Sequence, residues 1–250
     1  VMLKIEHLTK TYGEKKAVDD LSLEIRAGEI CAFLGHNGAG KTTTLKTCCG
    51  ILRPDGGTVR VDGISVADDP LEAKRRLAYL PDNPDLYEYM TGIQYLNFIA
   101  DVFGVDAQTR AERIAAYSEK FALTADLAQP ISAYSHGMKQ KLAIISALLH
   151  DPKLILMDEP FVGLDPIAAH RLKTVMRAFC DKGGSHLLLD PCAGSGRKAL
   201  RPGGHHPAGQ AGPCRIDGRS QGGPLAGKRL SGVGGGRLCL RHCCKSNSAR

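Results

Sequence analysis

The 250-residue chain has no tryptophan, and its aromatic residues make up only 5% of the whole. No apolar run approaches the ~20 residues that an α-helix needs to span a bilayer, so any membrane role must come through a partner. No basic-then-apolar segment opens the sequence as a secretory signal would, and the expected location is cytoplasmic. Scarcity is sharpest toward the C-terminal end. Residues 186–250 hold no Phe, Tyr or Trp and only two acids, Asp190 and Asp217, against 11 Lys and Arg, 14 Gly and 5 Pro. Such a composition cannot bury enough apolar surface to offset its ordering entropy. It predicts disorder after Ser185, apart from the short apolar run at 187–189.

The remaining 185 residues have ordinary globular character. They carry 22 basic and 24 acidic side chains, so the net charge of +7 belongs to the tail and argues for no nucleic-acid partner. Cys31, Cys48, Cys49 and Cys180 read as reduced, small core residues rather than a disulfide framework. In the tail, Cys239, His242, Cys243 and Cys244 form a metal-like cluster without a well-spaced second pair of ligands.

Hydrophobic patterning divides residues 1–185. Residues 2–8 and 21–25 alternate as strands do, and residues 58–61 lie between turn signals. Residues 30–34 form a buried apolar strand that runs into glycines, with a helix following from Lys41. The middle changes period. Residues 91–103, 109–121 and 137–150 have helical spacing, with Gly104 as a stop between the first two. A second apolar strand covers 154–157, and Pro166 can open a helix that runs to about residue 181.

Two motifs sit at the ends of the apolar strands. Gly35-His36-Asn37-Gly38-Ala39-Gly40-Lys41-Thr42 fits G-x-x-x-x-G-K-[ST], with a strand before it and a helix after it. Its glycines let backbone N–H groups turn toward phosphate oxygens, and the helix N-terminus adds partial positive charge. Lys41 is expected to reach the β- and γ-phosphates, and Thr42 to ligate Mg²⁺. The second strand ends in Asp158-Glu159-Pro160. If it lies parallel beside the first, Asp158 would hold Mg²⁺ through water and Glu159 would act as general base toward the attacking water.

These residues resemble the ATP-binding cassette family. Tyr12 lies where that family stacks an aromatic ring on adenine. The segment Tyr134-Ser135-His136-Gly137-Met138-Lys139-Gln140 lies where its signature motif lies, and Gly163-Leu164-Asp165-Pro166 looks like its loop facing the opposite subunit. The resemblance covers residues 2 to about 185. It implies an α/β P-loop core with a mixed sheet, an N-terminal antiparallel β subdomain, and an inserted helical subdomain at about 85–150. It implies ATP and Mg²⁺ as ligands, with Gly35, Asn37, Gly38, Ala39, Gly40, Lys41, Thr42 and Thr43 on the nucleotide. Two cassettes, as a homodimer or heterodimer, would sandwich ATP, with Ser135 and Gly137 touching the γ-phosphate held by the partner. Hydrolysis would drive a separate integral membrane permease of the ABC-2 type, docked near residues 87–98. The chain would then sit peripherally on the inner face of the membrane.

Some positions depart from the family pattern. His136 replaces a glycine and Met138 a glutamine. Asp82, after Leu80-Pro81, replaces a glutamine that touches Mg²⁺ and the water; a carboxylate there can still serve both roles. Such variants look more like exporter cassettes. The family's second apolar strand ends in a switch histidine, whereas His186 here precedes the run at 187–189. Read from the second base of each codon, the tail permits Thr-His over 190–192 and a family-like strand and turn over 198–210. A frameshift near Ser185 is therefore expected. Two other readings stay open: a soluble cassette ATPase outside transport, and an ATP-binding remnant without turnover.

Overall fold

The computed structural model describes residues 1–34, 38–190, 229–233 and 236–244. Its first half contains β1 (Leu3–Tyr12), β2 (Lys15–Ile25), β3 (Ile30–Leu34), α1 (Lys41–Cys48), β4 (Gly56–Val61), β5 (Ile64–Ser65), α2 (Pro70–Arg75), β6 (Leu77–Leu80), α3 (Gly92–Val102) and α4 (Ala107–Lys120). The second half adds α5 (His136–Leu148), β7 (Leu154–Asp158), α6 (Pro166–Asp181), β8 (Ser185–Asp190), β9 (Arg229–Val233) and β10 (Gly236–Cys244). Among the described residues no helix is long and apolar enough to cross a membrane.

Two sheets carry these strands. The smaller has the order β2-β1-β4-β5 and is antiparallel throughout. The larger has the order β6-β7-β8-β3-β10-β9, and its first four strands are parallel. Side-chain alternation makes the parallel strands two-faced. Cys31, Phe33, Leu154, Leu156, Leu187 and Leu189 face a core shared with α1 and the antiparallel sheet. Ile30, Ala32, Ile155, Met157 and Leu188 face a second core built with α5, α6 and the inserted helices α3 and α4. A strand buried on both faces reads as an uninterrupted apolar run, which is why 30–34 and 154–157 stand out in the sequence.

Helix ends follow their local chemistry. Thr91 and Gln94 form a reciprocal capping box at α3, and Asp106 accepts from Thr109 N at α4. Asp165 caps α6, with Pro166 at its first turn.

Two expectations need correction. The two motif-bearing strands are not neighbours: β8 lies between β3 and β7 and pairs in parallel with both. The intervening strand comes from the weak run at 187–189, extended at both ends by residues that alternation alone does not mark. The run at 187–189, excepted from the disorder expected after Ser185, lies in β8, and two further tail segments, 229–233 and 236–244, are strands where disorder was expected. There β10 pairs antiparallel with β3, from Cys239↔Leu34 to Cys244↔Ile30, and β9 pairs with β10. Backbone pairing on an open sheet edge needs N–H and C=O groups but no apolar period, so composition misses it. The other tail positions lie outside the described residues, as do Gly35, His36 and Asn37. The structure also contains α2, β5 and β6, which are too short to show a period.

Candidate active site

The site grows from the C-terminal ends of β3 and β7. Gly38 and Gly40 take left-handed φ values of 81° and 77°, a conformation that favours glycine over residues with a side chain. Gly40 is the N-cap of α1, and Thr44 N donates to its carbonyl at 2.9 Å. Ala39 and Lys41 are buried, and Thr42 faces out from the first turn. Thr43 is half-buried, and its carbonyl accepts from Thr47 Oγ1 at 2.8 Å.

β7 continues this construction. Asp158 has the same parity as Leu154 and Leu156, which face the core shared with α1. Its carboxylate therefore points at the helix that begins with Lys41. Oδ2 accepts a 2.8 Å hydrogen bond from Thr42 Oγ1. Burial pushes the Asp158 carboxyl up from its ordinary range. The Thr42 hydrogen bond opposes that shift, the Asp82 charge adds to it, and Lys41 and Lys46 oppose it. A desolvated carboxylate beside a hydroxyl is a pair of hard oxygen donors, which suits a Mg²⁺ ion completed by phosphate oxygens and water. Among the described residues no group of three or more His, Cys, Asp or Glu forms a dedicated all-protein metal cage.

The next residue leaves the strand sharply. Glu159 has φ of 49°, a left-handed conformation that costs a non-glycine residue on the order of 1 kcal/mol. Asp82 follows β6, is exposed, and accepts from Asn83 N at 2.8 Å. Tyr12 ends β1 with half its surface exposed.

Ser135 and Gly137 lie apart from this cluster, at the start of α5. Exposed Ser135 caps the helix by accepting from Met138 N at 3.3 Å. The start of α5 packs on the loop after β7. A Cβ at Gly137 would meet Gly163 O at 2.8 Å, and a Cβ at Gly163 would meet His136 Cδ2 at 2.2 Å. Lys141 Nζ reaches Asp165 Oδ2 at 3.1 Å and ties the same two segments. His136, a departure from the family pattern, thus fills the space beside a glycine.

His186 stands at the opposite end of the sheet. It pairs with Ile30 and Ile155 at the start of β8, while Asp190 pairs with Leu34 beside the phosphate loop. Its ring is fully buried, tilts against Phe179, and shares a 3.1 Å hydrogen bond with Met176 O. It makes no approach to Asp158.

Sequence reading missed several groups around the site. Lys141, which pairs with Asp165, carries no motif that marks it. Tyr79, whose buried hydroxyl has no hydrogen-bond partner, sits opposite Leu156 in a strand too short to recognise. Lys10 and Asp55 bracket Tyr12, and only the Asp55-Gly56-Gly57 turn signal hinted at them.

A glycine-rich loop opening a helix, joined through its threonine to an acid at the end of a parallel strand, defines a P-loop nucleotide-binding protein. The ABC transporter family pattern matches residues 18–162, and the chain belongs to that family. It is 38% identical over 176 residues to the uncharacterized ABC transporter ATP-binding protein YxlF of Bacillus subtilis, covering 70% of this chain and 58% of that one. It is 32% identical over 188 residues to the ABC-type transporter ATP-binding protein EcsA of the same organism, covering 75% and 76%. It is 35% identical over 187 residues to the Nod factor export ATP-binding protein I of Ralstonia nicotianae, covering 75% and 58%. The chain thus spans under two thirds of the length of two of these three relatives. Among solved structures, an ATP-binding subunit of an ABC transporter superposes with a TM-score of 0.73 at 35% identity, over 76% of this chain and 79% of that one. A dimeric post-hydrolysis ATP-binding cassette bound to ADP and Pi superposes with a TM-score of 0.67 at 23% identity, over 75% and 87%, and shares the fold.

Proposed function

We propose that this chain is the ATP-binding, ATP-hydrolysing subunit of an ABC transporter and powers a separate membrane permease in the export direction. The observation that carries the reading is the Thr42–Asp158 hydrogen bond, which joins the phosphate-loop helix to the acidic strand end. The names of relatives support export, since one is a Nod factor export ATP-binding protein and another a probable multidrug ABC transporter ATP-binding protein.

In this reading Gly35, Asn37, Gly38, Ala39 and Gly40 turn backbone N–H groups toward the triphosphate, and Lys41 neutralises its β- and γ-oxygens. Thr43 follows on the same helix turn. Tyr12 stacks on adenine. Thr42, Asp158 and Asp82 would hold Mg²⁺, which when bound neutralises charge developing on the phosphates. Glu159 orients and deprotonates the attacking water. A second cassette, identical or different, would present its own Ser135 and Gly137 to the γ-phosphate, as the exposure of Ser135 permits.

A permease helix finds a fitting surface on the inserted helices. Tyr87, Tyr89 and Phe98 are exposed large aromatics, and the Tyr87 ring lies 5.6 Å from Phe98 and 5.9 Å from Tyr89. Nearby, a groove of about 320 Å³ is lined by Ile51, Tyr79, Tyr95, Ile99 and Phe103. Exposed aromatic clusters of this kind mark contact sites. Co-purification with a multi-span membrane protein, and loss of that association in Tyr89→Asp, tests this reading. Retention of the partner by the variant counts against it.

A second reading, ATP binding without turnover, is favoured by the burial of His186 far from Asp158. Residues after Asp190, where a switch histidine would stand, depart from the family pattern. We take residues 1–185 as the cassette and the tail as a frameshifted segment. The three relatives above match no more than 75% of this chain, in keeping with that break. DNA sequencing tests the frameshift, and stop codons throughout the alternate frame would refute it. ATPase assay of this chain beside a frame-restored version separates the two functional readings: equal robust rates exclude the remnant.

A further inference from the structure

Tyr12 is the last residue of β1, still paired with Lys15 on β2 but beyond the reach of β4 on the other side. The β1–β4 register runs regularly from Leu3↔Val61 to Glu6↔Thr58, then breaks, with only Thr9↔Gly56 beyond. Asp55 takes over where the β4 side of the ladder stops. Its N–H donates to Thr9 O at 2.9 Å, and its Oδ2 accepts from Thr11 N at 2.6 Å. Its Oδ1 accepts from Lys10 Nζ at 2.7 Å. One residue thus grips three consecutive positions that lead to Tyr12. The Lys10 hydrogen bond, then the Thr11 N–H, hold the Asp55 carboxyl below its usual range, so the grip is ionic at neutral pH.

Lys10 has a second contact. Its Nζ lies over the Tyr12 ring, 5.8 Å from the centroid. The Lys10 side chain is only 16% exposed, while Tyr12 keeps 50% of its surface open. An ammonium held over an aromatic face is attracted by the ring quadrupole and restrains the ring's orientation. The ring is pinned from one side and still has surface free for a planar ligand.

We propose that Asp55 and Lys10 are positioning residues for adenine recognition: Asp55 fixes the end of β1 and the Lys10 ammonium, and the two together hold the Tyr12 ring ready for the base. This rests on the reading of Tyr12 as the adenine platform. Neither residue belongs to the phosphate loop or to the acidic strand end, so their effect should appear with ATP and vanish with a ligand that has no base.

The test is calorimetric titration of the full chain with MgATP and, separately, with magnesium tripolyphosphate. Tyr12→Ala is expected to weaken MgATP roughly tenfold or more, the scale of one base–aromatic stack. Asp55→Ala and Lys10→Met are each expected to weaken it roughly threefold to fivefold, the scale of an exposed cation–π contact. All three should leave tripolyphosphate binding unchanged. Asp55→Ala added to Tyr12→Ala should cause no further loss, because the residue acts through the ring. If Tyr12→Ala weakens MgATP while Asp55→Ala and Lys10→Met do not, the positioning role is wrong and the platform stands. If Tyr12→Ala has no effect, the platform reading fails and takes this inference with it. Equal weakening of both ligands by Asp55→Ala would reveal a general structural role and overturn the proposal, and thermal melts of each variant identify that case.

Discussion

Thr42 Oγ1 donates a 2.8 Å hydrogen bond to Asp158 Oδ2, across 116 positions of sequence. The contact exists because Asp158 continues the strand parity of Leu154 and Leu156 onto the face that α1 covers. Asp158 is 4% exposed and its carboxyl is pushed up by burial, a cost that the Thr42 hydrogen bond and the charges of Lys41 and Lys46 offset only in part and that a bound cation would relieve further. Asp158→Asn removes that cost while keeping the shape. The nucleotide-free variant should melt at or above the parent temperature, yet its ATPase rate should fall on the order of a hundredfold. Differential scanning fluorimetry and phosphate release read the two effects. A lower melting temperature with unchanged turnover would contradict the assignment.

Gly163 offers a second test. Its φ of 79° is left-handed, and a Cβ there would overlap the His136 ring. Gly163→Ala must shift the loop after β7, the ring, or both. Turnover should fall tenfold or more, the effect of about 1.4 kcal/mol or above in positioning, while MgATP affinity of the single chain should hold. Adding His136→Gly removes the overlap and leaves only the backbone strain, so it should recover part of the lost rate. No recovery in the double variant would show that the imidazole does not set the loop's place.

The two motif strands and the helices were legible because their signals are dense. The phosphate loop combines a fixed residue pattern with a strand before and a helix after, and 154–157 is apolar on both faces. The placement of β8 between β3 and β7 was not legible, because strand order depends on long-range pairing rather than on any local period. The β9–β10 pairing onto β3 was hidden for a related reason: it uses backbone groups, and the tail's composition argues the other way. The Lys141–Asp165 pair and the His136–Gly163 contact join segments distant in sequence, and neither residue type announces such a partner.

His186 makes stability depend on pH. Burial pulls its pKa down from 6.5 to about 4, with the Met176 carbonyl opposing weakly. The folded protein therefore resists a proton that the unfolded chain accepts. This contribution is intact above pH 6.5 and is lost as the pH falls toward 4, amounting to about 3 kcal/mol over that window. Urea unfolding at pH 7 and pH 4.5 should show a smaller acid-side loss for His186→Leu than for the parent chain. An equal loss in both would place the acid sensitivity elsewhere.

Residues 35–42 and Asp158 are proposed to form one MgATP site, and titration of the full chain with MgATP tests that most directly. Saturable binding is predicted, weakened at least tenfold by Lys41→Ala and diminished when Mg²⁺ is withdrawn with a chelator. Failure of the parent chain to bind, or equal binding by Lys41→Ala, would contradict it.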